Sequence, residues 1–276
     1  MIAGHKLPRA TLSDQFLAQG PNTLLSRAAW IPGMGFGVKS VSVFPENQGV
    51  PSIHGAMVLF NDRDGQVRGT LDSAAITNLK TATDSVLGSQ LLARKGARRL
   101  LIIGAGHVAE HLIQAYAALM PQLHEVRIWN RTGAKAAALA AKYGVQAVED
   151  LPAAAAQADV ISSAVMVQAP ILRGAWVRPG THVDLIGAFR PDMREGDDDL
   201  MKKARLFCDS LETTVEHIGE FSDPIARGVI AAGDIVGDFY DLIPGSIGRQ
   251  SAQDITVFKN GGGAHLDLMT AQVLLK

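Results

Sequence analysis

The 276 residues contain one cysteine, Cys208, so an internal disulfide is excluded and a reducing compartment is implied. That cysteine falls in the apolar run 205–208 (RLFC), which reads as a buried strand and a poor setting for a reactive thiol. An excess of either charge is also lacking. The 26 Lys and Arg stand against 27 Asp and Glu, a net charge of -1. This leaves no basic footprint for nucleic acid and no polybasic membrane patch. No stretch approaches the ~20 apolar residues of a membrane span, and the opening MIAGHKLPRATLSDQ lacks the long apolar core of a secretory signal. A cytoplasmic protein is expected. There is no solenoid-type repeat, and the only biased tracts are short alanine clusters such as 153–156. No metal site is expected.

What is present is the balance of a globular chain, with 47% hydrophobic and 19% charged residues and enough length for two cores. Residues 1 to about 70 read as loops and strands. VKSVSVF (38–44) alternates with the period of a half-buried strand, and 54–60 and 66–71 read as two further strands joined by the turn at 61–65. That pattern describes an antiparallel sheet. Residues 72–94 have helical spacing, with Asp72 or Ser73 as the N-cap.

The pattern then changes. Strands at 100–103, 126–129, 160–164 and 182–186 alternate with alanine-rich helices, which argues a doubly wound parallel sheet. The tail from residue 255 gives one more strand, a glycine turn and a helix, read as returning to the first domain. The expected architecture is therefore α/β: a Rossmann domain over 96–254, plus a discontinuous α+β substrate and dimerisation domain made of 1–95 with 255–276.

The strongest local signal is LLIIGAGHVA (100–109), where an apolar strand enters Gly-x-Gly-x-x-Ala and a helix. Gly104 permits the tight turn, Gly106 lets the backbone approach a pyrophosphate, and Ala109 allows close packing of helix on strand. The N-H groups of the helix start, around His107 and Val108, favour phosphate. The strand that follows ends in Trp129-Asn130-Arg131-Thr132. An NAD-preferring site usually carries an acidic residue there for the ribose 2'-hydroxyl. None is present, and Arg131 can pair with a 2'-phosphate, which favours NADP(H).

A nicotinamide cofactor implies hydride transfer, so the substrate groups must come from outside the Rossmann domain. Lys39, in the first strand, and Lys80, on the helix before the glycine loop, are candidates to hold a carboxylate. A solvated lysine is the plainer reading of Lys39. His54 is a candidate proton donor beside the plainer reading of a core or surface histidine.

From Gly37 onward the chain resembles the ornithine cyclodeaminase/mu-crystallin family. The likeness is carried by Gly37-Val38-Lys39, Val43 to Asn47, Leu71-Asp72-Ser73, Thr77 to Ala82, the glycine loop, Asn130-Arg131-Thr132, Gly187 to Glu195, Gly248-Arg249 and Ile255 to Asn260. The resemblance implies a homodimer whose non-Rossmann domain forms both the dimer contact and the substrate cleft. It implies that Lys39 holds the substrate carboxylate and helps with protonation. By the same likeness Thr81, Ala82 and Ala164 join the cofactor site, and Lys259 and Asn260 lie near the nicotinamide.

Three departures matter. Lys80 stands where the family commonly has arginine, giving a point charge in place of a bidentate fork. Phe189 stands where the cyclodeaminases carry a catalytic aspartate, and an aromatic ring exchanges no proton. The N-terminus is short, and Arg27 is a candidate for the missing guanidinium. The function expected is NADPH-dependent reduction of a small cyclic imino acid, such as 1-pyrroline-2-carboxylate or 1-piperideine-2-carboxylate, to an L-amino acid, with Phe189 lining the substrate site. The alternatives are an alanine-dehydrogenase-like reductive aminase, an ornithine cyclodeaminase, or a binding protein loaded with NADPH, as mu-crystallin is.

Overall fold

Thr11–Gln19 (β1) and Asn22–Ile31 (β2) pair antiparallel through the turn at Gly20 and Pro21, where Gly20 takes φ 58°. They extend the three expected strands, Gly35–Val43 (β3), Ile53–Phe60 (β4) and Val67–Asp72 (β5), into a five-stranded sheet in sequence order. β1 and β2 escape a reading by periodicity because their burial does not alternate: β1 is exposed along nearly its whole length. The computed structural model describes residues 1–275.

Ser73–Leu92 (α1) follows, and Asp72 caps it by accepting the Ala75 N-H at 2.9 Å. Alternation then sets in as expected. Arg99–Ile103 (β6), His107–Leu119 (α2), Glu125–Trp129 (β7), Gly133–Tyr143 (α3), Gln146–Ala147 (β8), Leu151–Gln157 (α4), Val160–Ser163 (β9) and His182–Leu185 (β10) come in turn. Asp198–Lys203 (α5), Ala204–Cys208 (β11), Leu211–Thr214 (α6), Gly219–Ala226 (α7), Ile235–Gly237 (β12), Phe239–Leu242 (α8), Ile255–Lys259 (β13) and Ala264–Leu274 (α9) complete the chain.

The eight strands β6 to β13 form one parallel sheet in the order β12-β11-β13-β10-β9-β6-β7-β8. Strand order reverses between β6 and β9, and the glycine loop leaves β6 at that point. In open α/β sheets this crevice is where nucleotides bind. The α/β class with a separate antiparallel sheet therefore stands.

The compact units are Met1–Lys80 with the segment from Gly262 onward, and Thr81–Gly261. The first is discontinuous, as expected, but both boundaries move. β13 belongs to the parallel sheet, between β10 and β11, because all five of its residues are buried, as a strand covered on both faces requires. The second half of α1 also belongs there: Ala82 and Val86 pack into the core built on Leu100, Ile102 and Ile128. Only α9 rejoins the first unit. Among the described residues no helix is long and apolar enough to cross a membrane.

Candidate active site

In the second unit, Gly104 takes φ 119°, and a Cβ there would stand 2.9 Å from the Ala164 carbonyl oxygen, so only glycine fits. Gly106 is the N-cap of α2 and has no side chain to satisfy the first-turn N-H groups. A Cβ on Gly106 would meet nothing within 4 Å. Donors facing open space at a helix start suit a pyrophosphate, with the exposed His107 and the half-buried Val108 on the first turn.

Beside it the Asn130 side chain donates to the Thr132 carbonyl at 3.0 Å, shaping the turn that leaves Arg131 exposed. Arg131 and Phe189 line one cleft of about 620 Å³, together with Met166, Val167 and Arg190. Phe189 is 55% exposed. A dinucleotide fits this donor set: glycine backbone for phosphates, a guanidinium beside the β7 end, and a cleft leading away from it.

Glu195, which carries no evident role in the sequence, pins the walls of this cleft. Its buried carboxylate accepts from the Ser163 hydroxyl (2.6 Å), the Val165 N-H (3.1 Å), the Gly187 N-H (2.5 Å) and the Ala188 N-H (3.2 Å). One side chain thus ties the loop after β9, which carries Ala164, to the loop after β10, which carries Phe189. Burial pushes its carboxyl upward, and the charge of Lys259 opposes that.

Lys259 and Asn260 are built inward. Lys259 is fully enclosed and donates to the Leu185 carbonyl at 2.8 Å, so it ties together the ends of β13 and β10. The Asn260 side chain donates to the Thr81 carbonyl (3.0 Å) and to the Ser85 hydroxyl (2.9 Å), fastening β13 to α1.

Asp184 lies in the same interior, accepting from the Ser162 hydroxyl at 2.6 Å. Burial raises its carboxyl from the ordinary 3.8 to about 7. Its neutral form therefore favours the fold below pH 3.8, and that contribution drains away as pH rises toward 7. A shift of this size corresponds to ~4 kcal/mol. Asp184→Asn, similar in shape and unable to ionise, is expected to flatten the decline. Urea unfolding at pH 5 and pH 8 should show a smaller pH difference in the variant, and an equal difference would remove the assignment.

In the first unit, strand register decides the chemistry. Asp14, Arg27, Lys39 and Met57 are cross-strand partners along one row of β1 to β4. Two cations directly opposite one another are unfavourable. The structure compensates both. Arg27 forms a forked pair with Asp14, at 2.7 Å from Nη2 and 3.1 Å from Nε, and donates from Nη1 to the Gly262 carbonyl at 2.7 Å. The Lys39 ammonium lies 2.7 Å from the Asp267 carboxylate on α9 and donates to the Thr77 hydroxyl at a longer 3.4 Å.

Lys39 is only 6% exposed, so the solvated lysine is replaced by a buried one. Gly35, Gly37 and Lys39 are the buried alternate positions of β3, and α9 approaches on that side, with Leu268 beside Gly37. Burial depresses the lysine, Asp267 opposes this, and the neighbouring charges of Lys80 and Arg27 depress it further. The amino group of Lys80, also buried, lies against Gly262, where φ is 75° and a side chain would collide with it.

The cations Arg27, Lys39 and Lys80 thus gather in this unit beside the carboxylates of Asp14 and Asp267. His54 is exposed on β4 and takes no part in the row. Asp14, Thr77 and Asp267 do not stand out in the sequence. An aspartate inside AHLDLM was the available signal, since a carboxylate within an apolar helix must find a buried partner.

The chain belongs to the ornithine cyclodeaminase/mu-crystallin family, whose model matches residues 32–275. It is 52% identical over 281 residues to Delta(1)-pyrroline-2-carboxylate reductase of Paracoccus denitrificans (strain Pd 1222), covering 99% of this chain and 89% of the relative. With the ketimine reductase mu-crystallin of Mus musculus identity is 34% over 230 residues, covering 83% of this chain and 71% of the relative. Among solved structures, Thermococcus litoralis Delta(1)-pyrroline-2-carboxylate reductase in complex with NADH and L-proline superposes with a TM-score of 0.87 at 26% identity, covering 96% of this chain and 86% of that one.

Proposed function

We propose that this protein is an NADP(H)-dependent reductase of small cyclic imino acids, of the 1-pyrroline-2-carboxylate or 1-piperideine-2-carboxylate type, yielding L-amino acids. The observation that carries the reading is the Arg27–Lys39 row with Lys80 beside it: two buried lysines and a half-buried arginine brought together, cations that a substrate carboxylate would bridge. The names of the Paracoccus, Thermococcus and mouse relatives support the same substrate class.

A bound nicotinamide supplies the hydride. Gly104, Gly106 and the α2 start hold its phosphates, while Asn130, Arg131 and Thr132 hold the adenosine end. Lys39 and Lys80 fix the substrate carboxylate, and Lys39 assists protonation of the ring nitrogen. Phe189 offers an apolar wall for a neutral ring. Once the ring nitrogen of the neutral imine is protonated, the iminium carries its own electrophilicity, so less proton machinery is needed than for deaminating an amine. Consumption of NADPH on mixing with 1-pyrroline-2-carboxylate, with proline formed in equal amount, tests the reading; no turnover across a panel of cyclic imino acids ends it.

The choice of NADP(H) rests on Arg131 and the missing carboxylate at the end of β7. NADPH is expected to bind at least ~10-fold tighter than NADH, about 1.4 kcal/mol. Arg131→Ala should erase most of that gap while leaving NADH binding nearly unchanged, as fluorescence titration reads directly. Tighter NADH binding by the unmutated protein would overturn it.

A homodimer through the first unit completes the proposal. The face of its sheet opposite Lys39 carries the stacked rings of Trp30, Phe36 and Phe60, with centroids 4.3 and 5.0 Å apart. They line an apolar hollow of about 350 Å³. An apolar hollow of this kind on an exposed sheet face suits a second copy.

A further inference from the structure

We propose that Asp267 is a positioning residue for the reaction: its buried carboxylate, paired with Lys39, keeps that lysine an ammonium at neutral pH with donor capacity left for the substrate. The proposal rests on the carboxylate-binding role given to Lys39 above.

The geometry is specific. An ammonium has three N-H bonds. The ammonium lies 2.7 Å from the Asp267 carboxylate and donates to the Thr77 hydroxyl at a long 3.4 Å, so it keeps donor capacity for an incoming anion. The side chains of Lys39 and Asp267 are 8% and 1% exposed, so water contributes little to holding the charge. Two neighbouring cations act against it. Arg27 comes from β2 and Lys80 from α1, while Met57, its partner on β4, is apolar. Asp14 is already engaged in a forked pair with Arg27. The other titratable side chain buried on α9, His265, meets the His5 ring edge-on at 5.7 Å. Asp267 thus favours the charged form against burial and two cations.

The arrangement solves a particular problem. A lysine that must attract a carboxylate in a nearly dry site tends to shed its proton. A lysine fully neutralised by an ion pair has little attraction left. One short contact to a carboxylate on a separate helix, together with the nearby Lys80 and Arg27, leaves the cluster charged yet stable until substrate arrives.

The test uses the full chain labelled with ¹³C-lysine. The Lys39 side-chain signal is assigned by its absence in Lys39→Met and followed against pH without substrate. Lys39 is expected to be charged at pH 7 in the unmutated protein. Asp267→Asn should lower its titration midpoint by about one pH unit or more, and the alkaline limb of kcat/KM for the imino acid should move down with it. Asp267→Glu should restore the midpoint while raising KM more than it lowers kcat, because the charge returns but the aim changes.

A neutral Lys39 at pH 7, or an unmoved midpoint in Asp267→Asn, overturns the proposal. If Asp267→Asn does not fold, Asp267→Glu decides. An unchanged KM there means that direction is immaterial and the role is only structural. Failure of the reductase reading shows separately: no imino acid turns over, while the substrate-free titration still reports on the pair.

Discussion

Lys39→Met is expected to lose roughly 30- to 4000-fold in kcat/KM on the best imino acid, the cost of ~2–5 kcal/mol for leaving a partly desolvated substrate charge without its partner. Two consequences of the substitution must be separated. Removing the ammonium would also strand the Asp267 carboxylate in the interior, and breaking one partner of a buried pair typically costs ~3–5 kcal/mol of stability. The double variant Lys39→Met/Asp267→Asn removes both charges and should regain most of the lost stability. It should regain none of the turnover. Melting temperature and kcat/KM measured on the same three proteins distinguish the two effects. NADPH affinity should hold throughout, since none of Gly104, Gly106 or Arg131 belongs to the first unit. Normal kcat/KM in Lys39→Met would return this lysine to a purely structural part.

L-ornithine is expected to give no measurable proline with either NAD+ or NADP+, under conditions where a cyclic imino acid is readily reduced with NADPH. Oxidative cyclodeamination must take protons from two amines and deliver one to departing ammonia, and a positioned acid or base typically contributes 10²–10⁴-fold to such steps. Phe189 stands where the cyclodeaminase pattern carries that carboxylate. Its ring is exposed in the cleft with the Arg190 guanidinium 5.7 Å from the centroid, a cationic neighbour that further disfavours an extra substrate ammonium. Phe189→Asp alone need not create the deaminase, because Lys80 also departs from the pattern. Ammonia and proline assayed after incubation with ornithine decide the matter; catalytic proline formation would mean that another residue moves the protons.

The parallel sheet was readable because its strands are short apolar runs bounded by glycine and alanine-rich helices. The nucleotide loop was readable because Gly104 and Gly106 answer local demands of backbone conformation and space. Where partners are distant in sequence, reading fails. Lys39 looks like a surface lysine among valines until β3 is placed under α9, and Asp267 lies 228 positions later (267 − 39). Lys259 and Asn260 appear as polar residues at a strand end, and only the arrangement β10-β13-β11 shows that they point inward. The sheet that the tail strand joins is illegible for the same reason, since an apolar run of five residues does not declare its neighbours. The bounds of β1 and β2 are not legible within 1–70, because a weakly alternating hairpin carries little periodic signal.

The discontinuity of the first unit also has a temporal meaning. On the ribosome, β1 to β5 emerge early, but α9 follows only after all of 81–261 has been made. Until then Lys39 has no counter-ion, and the buried face of β3 that bears Gly35, Gly37 and Lys39 has no cover. A nascent sheet in this state is an unfinished surface whose closure depends on α9, whereas 81–261 is contiguous and is able to condense first. On the proposed reading, competence to bind a substrate anion waits for α9, and a chain ending between residue 261 and α9 keeps every strand of the parallel sheet while its first unit lacks the helix that bears Asp267.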